Sequence, residues 1–187
     1  DLDAAFRLGF NGGWTHDSNG ITANGTNTFA NTFFNPNTGF SANSGSIAVY
    51  IRNNVDEIRY DMACTQTTNE LMILSRGSNL QYANYGPNAA YGTAANLDSR
   101  GWFETTRIGA TNTYGRKNGV TVITHAETEN RPNFNLYIGA NNNGGVAANF
   151  ASKNYAFAKI GTALSDANAL LEYQIIQQFQ TDLARNV

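Results

Sequence analysis

Residues Ser46–Arg52 read SIAVYIR, a run in which Ile47, Val49 and Ile51 alternate with Ala48 and Tyr50. Successive side chains of a strand point to opposite faces, so this alternation puts three branched residues on one side of a sheet. Such a strand has one face in a core and one free to meet water, a ligand or a partner. Similar short runs recur along the chain, punctuated by Gly, Asn and Pro. They are Glu70–Ser75 (ELMILS), Gly101–Ile108 (GWFETTRI), Val120–His125 (VTVITH), Phe134–Gly139 (FNLYIG) and Tyr155–Ile160 (YAFAKI). In YAFAKI the alternation sets Tyr155, Phe157 and Lys159 against Ala156, Ala158 and Ile160. Weaker runs lie around Phe6–Phe10, Thr28–Phe34 and Glu57–Ala63, for about eight or nine strands. Strands at this spacing with turn signals between them predict an all-β sandwich.

The strongest turn signal is Asn118-Gly119, just before Val120, where both residues can take the positive φ of a two-residue hairpin. Asn79–Asn96 (NLQYANYGPNAAYGTAAN) is the longest stretch without a clear strand and reads as a functional surface loop. No linker is evident, so residues 1–187 read as one domain, with strands over 1–160. The C-terminus changes character. Ser165 suits an N-cap, Asp166 the positive end of a helix dipole, and a helix is predicted over Asp166–Ala184. Its stripe of Leu171, Ile175, Ile176, Phe179 and Leu183 suits packing on a sheet or a partner, although Glu172 falls inside the same arc.

Composition narrows the function classes. Charged residues make up 14% of the 187, against about 25% in ordinary domains, while the chain holds 27 Asn, 19 Thr, 18 Gly and 9 Ser. Its surface is therefore mostly uncharged amide and hydroxyl. A net charge of −2 with no basic run argues against nucleic acid as a partner. No apolar stretch reaches membrane-spanning length and no signal peptide is read. The lone Cys64 excludes an internal disulfide and a CxxC zinc site. Weak like-charge repulsion and many surface amides favour a homo-oligomer.

Trp102–Val187 carries an ordered set of short motifs: Trp102, Phe103 and Arg107; Tyr114, Lys117, Asn118, Gly119 and Val120; Leu136–Ala140 with Asn142–Gly144; Tyr155–Ala158, Ile160 and Gly161; Leu164–Asp166; and Phe179–Thr181, Leu183, Arg185 and Val187. In this order they resemble a segment of the concanavalin A-like (laminin G-like) jelly-roll domains of tailed-bacteriophage virion proteins. The resemblance implies an antiparallel jelly-roll β-sandwich, with Phe6–Phe10 near Tyr155–Ile160 and the helix outside. It also implies a family that chiefly binds glycans or proteins and in some members cleaves polysaccharides. A trimer comes from analogy with phage appendages.

A retaining glycosidase needs two carboxyl groups about 5–5.5 Å apart, so alternate residues of one strand must carry them. Asp56, Glu57 and Asp61 lack that spacing, and Glu127 with Glu129 runs into the turn Asn130-Arg131-Pro132. His16 and His125 have no nucleophile elbow or zinc spacing around them. No catalytic residue and no cofactor is expected. Rim-loop calcium, which the family sometimes holds, has candidates in Asp17 with Asn19, Asp98 with Asn96, and Asn141–Asn143 with Asn149; the singly scattered carboxylates count against it.

Glycan binding needs aromatic faces for sugar rings and short amides for their hydroxyls, mostly on loops. Trp14 and Trp102 are aromatics to place. The candidate ligand-binding residues are Tyr82, Asn84, Tyr85, Asn88 and Tyr91 in the first loop, and Asn141, Asn142, Asn143 and Asn149 in the second. The expectation is a non-enzymatic, lectin-like virion protein on the exterior of a phage particle assembled in bacterial cytoplasm. It would bind a host-surface glycan or decorate the particle alongside other virion proteins. The alternatives are a purely structural decoration subunit and, less favoured, a polysaccharide hydrolase.

Overall fold

The computed structural model describes residues 8–88 and 91–187. In chain order the strands are β1 (Gly9–Asn11), β2 (Thr15–Asp17), β3 (Gly20–Thr22), β4 (Phe29–Asn31), β5 (Ser44–Ile51), β6 (Met62–Gln66), β7 (Asn69–Gly77) and β8 (Leu80–Pro87). They continue as β9 (Gly92–Ala95), β10 (Gly101–Ile108), β11 (Asn112–Lys117), β12 (Val120–Ala126), β13 (Tyr137–Ile138), β14 (Asn141–Asn143), β15 (Val146–Ala148) and β16 (Asn154–Gly161). One turn of helix, α1 (Pro36–Gly39), precedes β5, and α2 (Asp166–Asp182) follows β16. The first sheet runs β1-β4-β13-β6-β7-β8-β9, with β14 beside β6 and β15 beside β14; the second runs β12-β11-β10-β5-β16-β3-β2. Neighbours are antiparallel except β14, which runs parallel to β6. More strands form than the eight or nine expected, because rungs of two to four residues carry too little alternation to read.

The alternation of SIAVYIR is realised. Ile47, Val49 and Ile51 enter the core between the sheets with Met62, Cys64, Leu71, Ile73 and Phe103, while Ala48 and Tyr50 face the other way beneath α2. Trp102 is buried there too, with Phe157, Tyr173 and Ile176. In YAFAKI the expected faces do not hold. Ala156 is an extra residue between Tyr155 and Phe157, so Tyr155 shares the core face with Ala158 and Ile160, and Phe157 turns towards α2. A bulge of this kind inserts one unpaired residue and flips every side chain beyond it.

Other expectations need correction. Most of Asn79–Asn96 is no loop: β8 pairs with β7 along its length and with β9 at Leu80–Ala83. Both faces of β8 are covered, so its sequence lacks the polar and apolar alternation that marks a half-buried strand. Glu57–Tyr60 is irregular, and the strand begins only at Met62. Of Phe6–Phe10, residues 6 and 7 lie outside the described residues. β1 pairs with β4 rather than β16, although Leu8 and Phe10 face Tyr155 and Phe157 across an apolar hollow of about 210 Å³.

Asn118 (φ 52°) and Gly119 (φ 77°) form the predicted hairpin turn. Gly119 has a second reason to be glycine, since a Cβ there would stand 2.8 Å from Leu170 Cα of α2. The helix is capped by Ser165, whose hydroxyl accepts from the Asn168 N–H, and ends at Asp182, two residues before Ala184. Asp166 pairs with Arg116 at 2.8 Å and Lys159 with Glu172 at 2.7 Å. These pairs orient α2 so that Ala169, Tyr173, Ile176 and Gln180 meet the sheet. Of the expected stripe, Leu171, Ile175, Phe179 and Leu183 are left exposed. Among the described residues no helix is long and apolar enough to cross a membrane.

Candidate ligand-binding site

The outward face of the first sheet brings together residues that the sequence scatters. On β7, Glu70, Met72 and Leu74 alternate with the core residues Leu71 and Ile73; on β8, Tyr82 and Asn84 alternate with Ala83 and Tyr85. The register sets Thr65 opposite Glu70, Met72 opposite Asn84 and Leu74 opposite Tyr82. Ala63, Met72 and Leu74 make an apolar floor against which Tyr60 and Tyr82 pack. Tyr91 stands over Tyr82 edge to face, with centroids 6.4 Å apart, and is 40% exposed. Beside this aromatic group a polar chain runs inward, in which Asn141 Nδ2 donates to Thr65 Oγ1 at 2.9 Å and Thr65 Oγ1 donates to Glu70 Oε1 at 2.9 Å.

Glu70 is 2% exposed and Asn84 is fully buried. Burial pushes the Glu70 carboxyl above its ordinary value, against the contrary pull of Thr65, Tyr60 and Asn84 beside it. The Tyr60 hydroxyl is pushed up by burial and by the neighbouring Glu70, and that of Tyr91 by burial and Glu70 as well. The Tyr60 hydroxyl and the Asn84 amide stand beside the Glu70 carboxylate, yet among the described residues no donor meets Glu70 Oε2 or Asn84 Oδ1 in good hydrogen-bonding geometry. Asn84 Nδ2 is spent on Pro87 O at 3.1 Å. Chemically the site offers three phenol rings and buried acceptor oxygens under them, a set suited to a ligand with an apolar face and hydrogen-bond donors.

Of the candidate residues named from sequence, Tyr82, Asn84, Tyr91 and Asn141 meet here. The others do not. Tyr85 is wholly buried in the core between the sheets, on the opposite face of β8. Asn88 is tied to the preceding turn, donating from N to Thr68 O at 2.8 Å and from Nδ2 to Thr67 O at 3.0 Å. Asn142 is buried and braces its own loop through Asn135 O and Gly145 N. Asn143 and Asn149 are exposed outside the cluster, Asn149 with a φ of 54°. Tyr60, Thr65 and Glu70 were missed: Tyr60 sits in irregular chain, and Glu70 looks like a strand-end charge until β6 and β8 close over it. Trp102 is core.

The other charged groups are committed elsewhere. Asp56 pairs with Arg76 at 3.4 Å, Glu57 accepts from Ser152, and Asp61 pairs with Lys153. Glu127 holds Thr113 and lies 3.8 Å from His125, and Glu129 pairs with Arg131. The carboxylates weighed for hydrolysis are thus consumed by structural contacts. Of the calcium candidates, Asp98 pairs with Arg100 at 2.8 Å, which with other contacts holds its carboxyl low, and Asn96 Oδ1 accepts from Lys117 at 2.7 Å. Cationic neighbours of this kind disfavour a metal there.

No family profile matches the sequence, and no curated relative is found at sequence level. Solved structures do match the fold. The receptor-binding domain of a botulinum neurotoxin C/D mosaic serotype superposes with a TM-score of 0.65 at 12% identity, over 90% of this chain and 46% of that one. The binding domain of botulinum neurotoxin DC, in complex with SialylT, gives 0.61 at 12% identity over 91% and 46%. This chain therefore spans about half the length of those domains. Domain 4 of AbnA, a GH43 extracellular arabinanase from Geobacillus stearothermophilus solved with arabinotriose, gives 0.52 at 12% identity over 86% and 81%. The fold this chain shares with them is an all-β sandwich of two antiparallel sheets, here closed by a C-terminal helix.

Proposed function

We propose that this chain is a non-enzymatic, lectin-like module that binds a glycan through the outward face of its first sheet. The observation that carries the reading is the convergence of Tyr60, Tyr82 and Tyr91 over the buried polar groups of Asn84, Thr65 and Glu70. Aromatic rings stack on the apolar faces of sugars, and fixed acceptors select among hydroxyl patterns. A neurotoxin binding domain in complex with SialylT and an arabinanase domain in complex with arabinotriose share the fold, which supports the reading without fixing the sugar. The motif order in Trp102–Val187 supports the exterior of a phage particle as the setting, with a host-surface glycan as ligand and other virion proteins as partners.

The test is a glycan array probed with the purified chain and with Tyr91→Ala. Glycan capture by the parent and its loss in the variant, at unchanged melting temperature, is the expected result. Binding that is absent, or indifferent to Tyr91, removes the reading. A second reading, a structural decoration subunit, draws on the exposed flank of α2 and would then lead.

A further inference from the structure

Among the described residues the carboxylates buried most completely are Asp61, Glu70 and Glu104. Asp61 has Lys153 Nζ at 3.1 Å, and Glu104 has Arg116 at 2.8 Å and Lys159 at 3.4 Å. Glu70 alone of the three has no ion-pair partner among the described residues, and the charge acting on it most strongly through space is Glu127, also negative. A buried carboxylate is ordinarily paired or neutralised, because leaving it charged and alone in a poorly solvated place is costly. One of its oxygens, Oε2, is met by no donor in good geometry among the described residues, although the Tyr60 hydroxyl and the Asn84 amide lie close enough to favour its charged form, and on the same sheet face Asn84 Oδ1 is equally unmet. Register makes the two side chains diagonal neighbours, since Glu70 lies opposite Gly86 and Asn84 opposite Met72. Two under-served acceptor oxygens, one of them on an anion with no cation beside it, next to three tyrosine rings call for a donor that is also a cation.

We propose that Glu70, with Asn84, receives the protonated primary amine of an amino sugar, so that the preferred ligand is a glycan with free rather than acetylated amines. This inference rests on the glycan-binding reading of the same face. An ammonium brings several donors and a full charge, and so serves a carboxylate and an amide oxygen together. Tyrosine rings around the amine add attraction of a cation to their faces. Neutral sugars keep the ring contacts but leave the carboxylate unpaired.

The probes are an oligosaccharide of β-1,4-linked glucosamine and its fully N-acetylated counterpart, titrated calorimetrically against the full chain and against Glu70→Gln in buffer containing EDTA. The parent is expected to bind the free-amine oligomer about tenfold or more tightly than the acetylated one. Glu70→Gln, which keeps the shape and removes the charge, should bring the two to parity. A parent that binds both equally, prefers the acetylated form, binds neither, or needs calcium overturns the inference. So does a Glu70→Gln variant that keeps the preference. If the oligosaccharides overturn the amine preference while glycans on the array still bind in a Tyr91-dependent way, the amine assignment alone fails; if no glycan binds, the glycan reading fails with it.

Discussion

Lys153 Nζ lies 3.1 Å from Asp61 Oδ1, with both side chains wholly excluded from solvent. The pair is saturated: Ser75 Oγ accepts from Lys153 at 2.9 Å, the Ser75 N–H donates to Asp61 Oδ2 at 2.6 Å, and Tyr155 Oη donates to Asp61 Oδ1 at 3.0 Å. It ties three segments distant in sequence, the entry to β6, the middle of β7 and the start of β16. Breaking one side of such a pair strands the other charge, which costs about 3–5 kcal/mol. Lys153→Met should therefore lower the unfolding free energy measured by urea titration by about that amount. Replacing Asp61 as well, with Asn, should recover part of it by removing the stranded charge, and a Lys153→Met variant as stable as the parent would show that the pair adds nothing.

Arg116 anchors the start of α2 through Asp166 at 2.8 Å, and Thr121 Oγ1 donates to the same carboxylate at 2.9 Å. These contacts, the Arg116 hydrogen bond first, hold the Asp166 carboxyl below its ordinary 3.8. A carboxyl lowered on folding stabilises fully above its unfolded value and loses that contribution as pH falls through its folded value. The helix should thus loosen from the sheet below about pH 3.8, reported by the fluorescence of Trp102 beneath it. Because Asp166 is largely exposed, the effect is a small change in the acid limb, absent in Asp166→Asn.

How much of this was legible depends on whether a strand has one covered face or two. SIAVYIR, with its outer face under α2 only at Ala48 and Tyr50, alternates cleanly, and its core residues were readable. LQYANYGP has tyrosine on both sides because Tyr85 fills the core while Tyr82 lines the outer site, so nothing in it distinguishes a strand from an aromatic loop. The bulge at Ala156 defeats a period-two reading because its extra residue has no compositional mark. Half of the candidate site was visible for the same reason. Tyr82, Asn84, Tyr91 and Asn141 are residue types that suit sugars wherever they fall, whereas the importance of Glu70 comes from the missing cation, which only three-dimensional neighbours reveal.

The two tyrosines of β8 and the one before β9 should separate function from stability. Tyr85 is fully buried among Phe40 and the core, so Tyr85→Ala should cost about 3–5 kcal/mol in denaturant unfolding, as for other large buried rings. Tyr91 is 40% exposed and touches Tyr82 only edge on, so Tyr91→Ala should cost under about 1 kcal/mol and still lose glycan capture. Equal losses of stability in both would mean that Tyr91 is scaffold.

Leu171, Ile175 and Phe179 recur every four residues along α2, exposed to 54%, 61% and 42%, with the Phe179 ring also meeting Phe157 of the sheet edge to face. We expect a second copy of this chain to cover them. Two such helices packed antiparallel about Ile175 would set each Leu171 against the other's Phe179, a self-complementary contact of the kind a two-fold axis requires. The acidic start at Asp166 would then face the other helix's Arg185 end, and Glu172 would meet Gln178 rather than a like charge. Sedimentation should show a dimer, or a larger assembly containing it, that Ile175→Arg converts to monomer. A monomeric parent at micromolar concentration removes the expectation.

Glu70 offers the sharpest test of the site, because its function should come at the expense of stability. Its carboxyl is pushed above the ordinary 4.5, chiefly by burial, so folding favours the protonated form. A carboxyl raised on folding leaves stability intact below its unfolded value, and the penalty grows as pH rises through its folded value. Glu70→Gln keeps the acceptor to Thr65 and removes the charge, so it should raise the melting temperature near pH 7 and lose that advantage below about pH 4.5. Saturating free-amine oligosaccharide should close the gap from the other side, stabilising the parent more than the variant in proportion to its tighter binding. If Glu70→Gln instead melts lower than the parent at neutral pH, the carboxylate has a stabilising partner of its own and is a structural group, not a receptor for a cation.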